Sequence, residues 1–430
     1  MTTSPRHRDV HLVLPDAAHE QVVVTDGGAL PRRRVQLAAG ESTAQAVRRD
    51  LMADADLPDV AILDLLFDER EFDLNDDGRP LRALALLGPA PAGWAPPAGW
   101  RWRRAEEAMG GGSADPVTGP PTWLASLQQW AAEWAGAEEV PAARAAWARP
   151  AWWADMTAWI HRQLATAGRH ATGPVEQVRH WGISAVLRVP TDGGPVWVKE
   201  VFPVFAYEPA ITALVAHRVP RTAPAVLAAE GTRLMMAEVE GGLYAAHPED
   251  TAVPYAALHD LQAVVSVDEA LAAGVPDRRF TSLAADLHAA LVHPVVAEVL
   301  RCTPADADRL AERIAAAAAG LADLPDVLVH GDFHPGNVID GPVILDWSDA
   351  AVSNPLVDAA VWDRWLDDGT AWRQLAGTWG MADTGAGRAA VQAYHLVSYA
   401  RIVTALEPAH RFQQLDGLRE HHRMMVEALR

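Results

Sequence analysis

Residues 327–338 read Val-Leu-Val-His-Gly-Asp-Phe-His-Pro-Gly-Asn-Val, and this stretch decides how the C-terminal part of the chain folds. Its first three residues are typical of a buried β-strand, and Gly331 is expected to end that strand. The loop that follows carries Asp332 and, five residues later, Asn337. A second short apolar strand then leads directly into Asp346. The pattern predicts a polar loop and a strand-end carboxylate that one hairpin brings together.

These polar residues are of the types that phosphoryl transfer requires. The reaction needs a carboxylate that orients and deprotonates an attacking hydroxyl, oxygen ligands for Mg²⁺, and a cation on the phosphates. Asp332 is placed to act on a hydroxyl, while Asn337 and Asp346 are placed to reach a metal. Taken singly, they could be two turn residues and a strand-end cap. Their joint spacing favours the functional interpretation.

The amino-acid composition indicates which residue supplies the cation that binds the phosphates. The chain has 36 basic residues, and Lys199 is its only lysine. A lysine kept among so many arginines indicates a place where a compact ammonium is needed, for example beside phosphates. Lys199 lies in a strand-like stretch that alternates apolar and polar residues. Glu208, at the head of the next predicted helix, is its expected partner.

The segments His330-Gly-Asp-x-x-x-x-Asn and Ile344-x-Asp-Trp resemble those of the aminoglycoside phosphotransferase family, which includes choline-kinase-like and fructosamine-kinase-like enzymes. The resemblance covers residue 175 to the C-terminus. It implies Asp332 as the catalytic base and Asn337 and Asp346 as Mg²⁺ ligands. It also implies ATP or GTP as donor and a hydroxyl of a small polar molecule as acceptor.

The remaining nucleotide-site residues are expected from the same resemblance. Lys199 would contact the phosphates and be held by Glu208, and Ser184, in a turn with one glycine, would be a phosphate contact. His330 is expected to bond the backbone, although a metal pair with His334 is an alternative. Adenine is expected to meet the backbone of a hinge formed by Met236, Ala237, Glu238 and Val239.

The predicted fold class is α+β, with a bilobal protein-kinase-like fold behind a small α/β domain. The N-terminal domain spans residues 1–108, and a Gly/Pro-rich linker with Trp-rich helices spans residues 109–171. The β-rich N-lobe is expected over residues 172–240. The helical C-lobe, with the catalytic loop and the substrate cleft, is expected over residues 241–430.

The N-terminal domain contains a degenerate match to the Nudix box, which in that family places a Glu-rich helix on a divalent metal. Glu41 matches, but Ala53 and Asp54 stand where two glutamates are expected. Loss of a ligand disrupts the geometry of a hard-cation site. We therefore expect a Nudix-like fold without hydrolase activity. An ordinary amphipathic helix with a charged outer face is the alternative.

Composition excludes several classes. The net charge of −20 leaves no general basic face, so neither nucleic acid nor an anionic membrane is expected as a partner. No apolar run reaches the ~20 residues that span a bilayer, and no signal-peptide core is found, so we expect a cytoplasmic protein. The single cysteine, Cys302, excludes an internal disulfide and is expected to be a small buried side chain. Oligomeric state stays open.

The acceptor is less well defined. Residues 241–430 carry 26 Asp and Glu against 13 Arg, which suits an amine-bearing acceptor such as an aminoglycoside or amino sugar. Sugars and other alcohols stay open. A non-catalytic nucleotide-binding regulator and a Nudix-type diphosphohydrolase are the other candidate classes. The joint presence of Lys199, Asp332, Asn337 and Asp346 favours the kinase over both.

Overall fold

The computed structural model describes residues 6–38, 41–67, 81–110, 123–366, 369–380 and 384–430. The chain forms two compact units, one of Met1–Gly193 with Leu406–Phe412 and one of Gly194–Ala405 with Gln413–Arg430. Most of residues 109–121, predicted to mark a domain boundary, lies outside the described residues. So does Ala39 at the start of the Nudix-like match.

The first unit contains eight strands and four α-helices in its described residues. The strands are β1 (Arg6–Val13), β2 (Gln21–Thr25), β3 (Arg32–Leu37), β4 (Ile62–Phe67), β5 (Leu81–Leu87), β6 (Trp100–Arg104), β7 (Glu176–His180) and β8 (Ser184–Val189). The helices are α1 (Thr43–Ala53), α2 (Ala105–Gly110), α3 (Leu124–Trp134) and α4 (Trp152–Thr166).

A four-stranded sheet of order β3-β1-β5-β4 forms the centre of the N-terminal domain. Strands β1 and β5 run parallel, and the other neighbours are antiparallel. Alternation along β1 places Val10 in the core with residues of α1 and Val13 in a second core with residues of α3. Helix α1 is capped by Ser42, whose hydroxyl accepts the Gln45 N–H at 3.1 Å in a capping box.

The acidic residues of the Nudix-like match are engaged with arginines. Arg49 contacts Glu41 and also Asp50, at 3.1 Å. Asp54 at the end of α1 pairs with Arg33 of β3. These ion pairs fit the charged outer helix face that the sequence left as an alternative. The Nudix resemblance itself stays a prediction.

Buried polar contacts join the N-terminal sheet to β7. The side-chain amide of Gln177 donates to the Ile62 carbonyl and accepts the Ile62 N–H, both at 2.8 Å. Imidazole Nε2 of His180 lies 2.6 Å from the carbonyl of Leu63. These side chains satisfy backbone groups of β4 that would otherwise be buried without partners.

The Trp-rich helices pack inside the first unit. Trp130, Trp152 and Trp159 are buried, so these side chains belong to the interior of the unit. Beside α3, the guanidinium of Arg144 binds Glu133 at 2.8 Å and Glu407 at 2.8 Å. The second of these contacts fixes segment Leu406–Phe412 within this unit.

The second unit contains seven strands and the remaining helices in its described residues. The strands are β9 (Val196–Val201), β10 (Val226–Glu230), β11 (Arg233–Ala237), β12 (Val327–Val329), β13 (Val338–Ile339), β14 (Val343–Ile344) and β15 (Ala351–Ser353). The helices are α5 (Glu208–Arg218), α6 (Ala252–Val264), α7 (Val267–Ala272), α8 (Phe280–Val292), α9 (Pro294–Leu300), α10 (Pro304–Ala319), α11 (Ala359–Leu366), α12 (Thr370–Thr378), α13 (Gly385–Ala405) and α14 (Pro408–Ala428), the first turn of which belongs to the first unit.

Strands and helices of the second unit segregate along the chain, as the sequence predicts. Strand β11 pairs antiparallel with both β9 and β10. After β11 the chain is mainly helical, interrupted by the short antiparallel pairs β12–β15 and β13–β14. One hydrophobic core joins α6, α8, α10 and α13 to β12 and β15. This core holds the short strands that carry the loop at Asp332.

Two sequence expectations can be compared directly with the structure. Among the described residues, no single helix is long and apolar enough to cross a membrane. Helices α8 and α9 reach the required length and apolar composition only when they are taken together, and the pair is bent by 81°. Cys302 is half-buried rather than buried, because it follows the end of α9 near the surface. Its Sγ lies 3.6 Å from the carbonyl of Thr303.

Candidate active site

A buried carboxylate fixes the loop that carries Asp332. Asp358 accepts the backbone N–H of His330 at 3.0 Å and that of Gly331 at 2.7 Å. Burial raises the pKa of Asp358 to about 7, although the two N–H donors oppose the shift. His330 Nε2 lies 2.8 Å from the carbonyl of Leu345, so His330 bonds the backbone as expected. These contacts tie the loop to the strand that precedes Asp346.

Gly331 is required by a close backbone approach. Its φ is +81°, a conformation that favours glycine. A Cβ at this position would lie 2.0 Å from the carbonyl oxygen of Asp349. The loop therefore packs directly against the turn after Asp346 because residue 331 has no side chain.

Asp332 and Asn337 meet across the loop. The Asn337 amide nitrogen donates to the Asp332 carbonyl at 3.0 Å and lies 3.4 Å from its Oδ2. His334 Nε2 lies 3.5 Å from the same Oδ2. Burial raises the pKa of Asp332, but His334 and His330 outweigh burial and hold the pKa below its usual value. Asp332 is therefore ionised at neutral pH, as a proton acceptor must be.

Asp346 lies at the end of β14, in the left-handed region with φ of +62°. A non-glycine residue in this region indicates a conformation that its surroundings enforce. Its Oδ1 accepts from Lys199 Nζ at 2.7 Å and from the Ser348 hydroxyl at 2.8 Å. Burial raises the pKa of Asp346, but the charge of Lys199 outweighs burial and lowers the pKa below its usual value.

Lys199 joins two carboxylates. Its Nζ lies 2.7 Å from Glu208 Oε1 and 2.7 Å from Asp346 Oδ1. Burial opposes the charge on Lys199, but the two carboxylates raise the pKa above its usual value. One ammonium cannot fully compensate two carboxylates, and Glu208 is the more deeply buried of the pair. Burial accordingly raises the pKa of Glu208 to about 7, against the pull of Lys199.

Asp349 is a site residue that sequence reasoning missed. Burial, followed by repulsion from Asp332 and Asp346, raises its pKa to about 8. Repulsion between neighbouring carboxylates favours the protonated form of one of them, and its raised pKa makes Asp349 the one that binds a proton most readily. The sequence feature that could have identified Asp349 is its position three residues after Asp346, in the short turn Trp347–Asp349.

The structure reduces the number of predicted hinge residues whose backbone N–H could bind adenine. The N–H of Ala237 donates to the Ala225 carbonyl at 2.9 Å, and that of Glu238 donates to the Pro195 carbonyl at 3.1 Å. These donors are engaged within the protein and are not available to a ligand. Of the four expected hinge residues, Val239 is the one that comes after these two engaged N–H groups. Its backbone is therefore the part of the predicted hinge that we assign to the base. Met236 pairs with Trp197 within the sheet.

Ser184 lies in the first unit, at the start of β8, and is buried. Its hydroxyl oxygen accepts the indole N–H of Trp181 at 2.7 Å. The proposed phosphate contact therefore has a fixed orientation, with its own O–H still able to donate. Its role stays a prediction.

The donor set suits a hard cation. Asn337 uses its amide nitrogen towards Asp332, which leaves the amide oxygen available. Asp346 uses Oδ1 for Lys199 and Ser348, which leaves Oδ2 available. Mg²⁺ is commonly bound by one or two carboxylates together with substrate phosphates and water. These two oxygens therefore fit Mg²⁺.

His330 and His334 do not form a metal pair. His334 Nδ1 accepts the Gly336 N–H at 3.0 Å, and both nitrogens of His330 contact backbone groups. In the described part of the chain, no group of three or more His, Cys, Asp or Glu side chains is arranged to hold a metal ion.

A polar loop with Asp332, a strand-end Asp346 and a paired Lys199 define the class of a phosphotransferase. Residues 174–394, more than half of the 430-residue chain, match the model of the phosphotransferase enzyme family. The chain belongs to this family and is a small-molecule kinase. The predicted resemblance and the kinase-like α+β fold are confirmed. The match begins after the N-terminal domain and does not bear on it.

The chain is similar to several solved structures, and no curated protein matches it. The GDP complex of wild-type aminoglycoside 2'-phosphotransferase-IIIa is 18% identical, with a TM-score of 0.45, over 64% of this chain and 98% of that chain. Macrolide 2'-phosphotransferase from Brachybacterium faecium is 19% identical, with a TM-score of 0.42, over 60% and 97%. A putative fructosamine-3-kinase from Thermobifida fusca is 20% identical, with a TM-score of 0.40, over 61% and 97%.

Proposed function

We propose that this protein transfers the γ-phosphate of ATP, or of GTP, to a hydroxyl group of a small polar molecule, with Mg²⁺ as cofactor. The observation that carries the proposal is the position of Lys199 Nζ, 2.7 Å from both Glu208 and Asp346. This contact joins the predicted phosphate-binding cation to the predicted metal ligand. A structural salt bridge alone would not require Asp332 and Asn337 on the adjoining loop.

Each residue has a separate role in the proposed reaction. Asp332 accepts the proton of the acceptor hydroxyl as the hydroxyl oxygen bonds to the γ-phosphorus, while the bond between the γ-phosphorus and the β-phosphate oxygen breaks and ADP or GDP leaves. Lys199 binds the α- and β-phosphates and is held in position by Glu208. Asn337 and Asp346 would hold Mg²⁺, which neutralises charge on the phosphates when it is bound. Val239 presents its backbone to the adenine or guanine base.

The acceptor binds beside Asp332. A cavity of about 820 Å³ within the second unit borders Asp332 and His334. Its size falls within the range of small-molecule sites. An acceptor hydroxyl in this cavity would reach the carboxylate of Asp332, whose lowered pKa leaves it ionised.

The test combines nucleotide binding with turnover. We expect Mg-ATP or Mg-GTP to raise the unfolding temperature of the full chain, and phosphate transfer to appear in a screen of aminoglycosides, amino sugars, sugars and choline-like alcohols. Asp332→Ala should keep the nucleotide-induced thermal shift and lose transfer by at least about 10²-fold, the usual contribution of a general base.

Two results would contradict the proposal. If neither Mg-ATP nor Mg-GTP stabilises the chain, the proposed nucleotide donor is wrong. Full transfer by the Asp332→Ala variant would mean that another group accepts the proton. Binding without transfer to any acceptor would instead favour the nucleotide-binding regulator.

A further inference from the structure

The cavity beside Asp332 has an aromatic wall. Trp365, at the end of α11, borders the cavity and is 48% exposed. Its indole stacks on the His334 imidazole, with ring centroids 5.7 Å apart and planes inclined by 14°. One indole face is therefore covered by His334, and the exposed remainder is open to the cavity. Among the described residues, Trp365 is the tryptophan with the most exposed side chain, and it is the one that borders this cavity.

The Trp365 wall is held in one orientation. A Cβ at Gly336 would lie 2.8 Å from Cε1 of His334, so a larger residue at this position would displace the imidazole from its present place. The Gly336 N–H donates to His334 Nδ1 at 3.0 Å and fixes the ring. The imidazole then supports the indole from below. A side chain that was exposed by chance would not need this support.

Tyr399 of α13 forms a second wall of the same cavity. Its ring packs on Gly417 of α14, where a Cβ would lie 2.2 Å from the tyrosine Cε1. Burial and the charge of Asp332 raise the pKa of Tyr399 to about 12, while a hydrogen bond to Arg364 opposes the shift. Gly417 thus allows the tyrosine to stand beside the proposed base.

Among the described residues, the cavity is lined by equal numbers of carboxylates and arginines: Asp332, Asp363 and Glu420, with Arg364, Arg388 and Arg423. Arg364 pairs with Glu420, and Arg388 lies 3.6 Å from Asp363. Asp332 is the remaining carboxylate of the described lining, and it faces His334. A polycation needs carboxylates that are not already neutralised. Arginine–carboxylate pairs instead offer both donors and acceptors, which suits neighbouring hydroxyl groups.

We propose that Trp365 and Tyr399 form the acceptor subsite and that the acceptor is an uncharged polyhydroxylated ring, such as a sugar. The inference rests on the proposed function of the Asp332 site. The negatively polarised face of an indole attracts the weakly positive C–H face of a sugar ring. The paired arginines and carboxylates hydrogen-bond the ring hydroxyls, and one hydroxyl is directed to Asp332.

The experiment compares acceptors and variants on the full chain with Mg-ATP or Mg-GTP. Neutral hexoses and pentoses are compared with their amino-sugar analogues and with kanamycin. We expect the highest kcat/KM for a neutral sugar. Trp365→Ala should raise the KM for that sugar about tenfold, as loss of an aromatic contact predicts, while the KM for nucleotide stays unchanged. Trp365→Phe should restore most of the affinity.

Two glycine substitutions distinguish an effect on the acceptor subsite from an effect of adding a methyl group to a helix elsewhere in the unit. Gly417→Ala should displace Tyr399 and raise the KM for the acceptor. Gly377→Ala, in α12, introduces a Cβ that meets no atom within 4 Å and should leave both KM values unchanged.

The outcomes distinguish this inference from the proposed function. If neither Mg-nucleotide is bound or consumed, the proposed function fails. If the nucleotide is consumed but kanamycin is the better acceptor, or Trp365→Ala leaves the acceptor KM unchanged, the enzyme class stands and the subsite inference is wrong.

Discussion

Removal of the Lys199 ammonium should destabilise the second unit strongly. In Lys199→Met, Glu208 and Asp346 lose the cation that lies 2.7 Å from each. The side chain of Glu208 is 2% exposed, whereas that of Asp346 is 40% exposed and can be solvated. The cost therefore comes chiefly from Glu208, a buried charge without a partner.

The expected loss of unfolding free energy in Lys199→Met follows from the different exposure of Glu208 and Asp346. Breaking a buried ion pair on one side costs about 3–5 kcal/mol, and the solvation of Asp346 favours the lower end, about 3 kcal/mol. For a unit of this size, a loss of about 3 kcal/mol lowers the unfolding temperature by about 6–12 °C. The measurement is thermal and urea unfolding followed by circular dichroism and tryptophan fluorescence.

The penalty should depend on pH with a defined sign. The folded pKa of Glu208, about 7, exceeds its ordinary value of 4.5, so the folded state holds this proton more tightly. That contribution to stability is present at acidic pH and is lost as pH rises through about 7. Without Lys199 the pKa rises further, and a proton can replace the ammonium. The penalty of Lys199→Met should therefore be larger near pH ~8 than near pH ~5.5.

A matched double variant completes the test. Lys199→Met with Glu208→Gln removes both buried charges and should recover most of the lost stability, because no buried carboxylate then lacks a partner. If Lys199→Met is as stable as the wild type at neutral pH, or if its penalty grows on acidification, the reasoning about Glu208 is wrong.

Two further variants examine the metal ligand and the loop. Asp346→Ala should make nucleotide stabilisation independent of Mg²⁺ in thermal-shift assays with and without the metal; unchanged Mg²⁺ dependence would remove Asp346 from the ligand set. Gly331→Ala should lower stability by more than about 2 kcal/mol, because the left-handed conformation alone costs about 1–2 kcal/mol and its Cβ would meet the Asp349 carbonyl at 2.0 Å. Gly377→Ala is the control, and equal effects of the two substitutions would contradict the steric argument.

The sequence predicted the parts of the site that depend on local pattern. Asp332, Asn337 and Asp346 lie within one strand–loop–hairpin segment, so spacing alone determines that they meet. The contact between Lys199 and Glu208 was predictable because strand β9 leads into helix α5 through a short turn. The Ser42 cap of α1 was predictable for the same reason, since a capping box spans only four residues.

The parts that were missed depend on contacts between distant segments. Asp349 joins the site because Gly331 lets two backbones approach closely, and no spacing rule encodes that approach. The contact of Gln177 with Ile62 joins residues 115 positions apart. The aromatic wall of the cavity needs Trp365, Tyr399 and Gly417 from three helices, and a charge count over residues 241–430 averages over the Arg–carboxylate pairs that face it.

The contacts of Lys199 explain why a chain with 35 arginines keeps one lysine. Two carboxylates from different elements converge on one nitrogen, at 2.7 Å each, in a buried position. A guanidinium spreads its charge and donors over a rigid planar fork, whereas a compact ammonium concentrates its charge on one nitrogen between the two carboxylates. An ammonium makes both contacts and keeps a third N–H, which in the proposed function donates to a phosphate oxygen. If Lys199 binds phosphate as proposed, its position between two carboxylates explains why this site keeps a lysine.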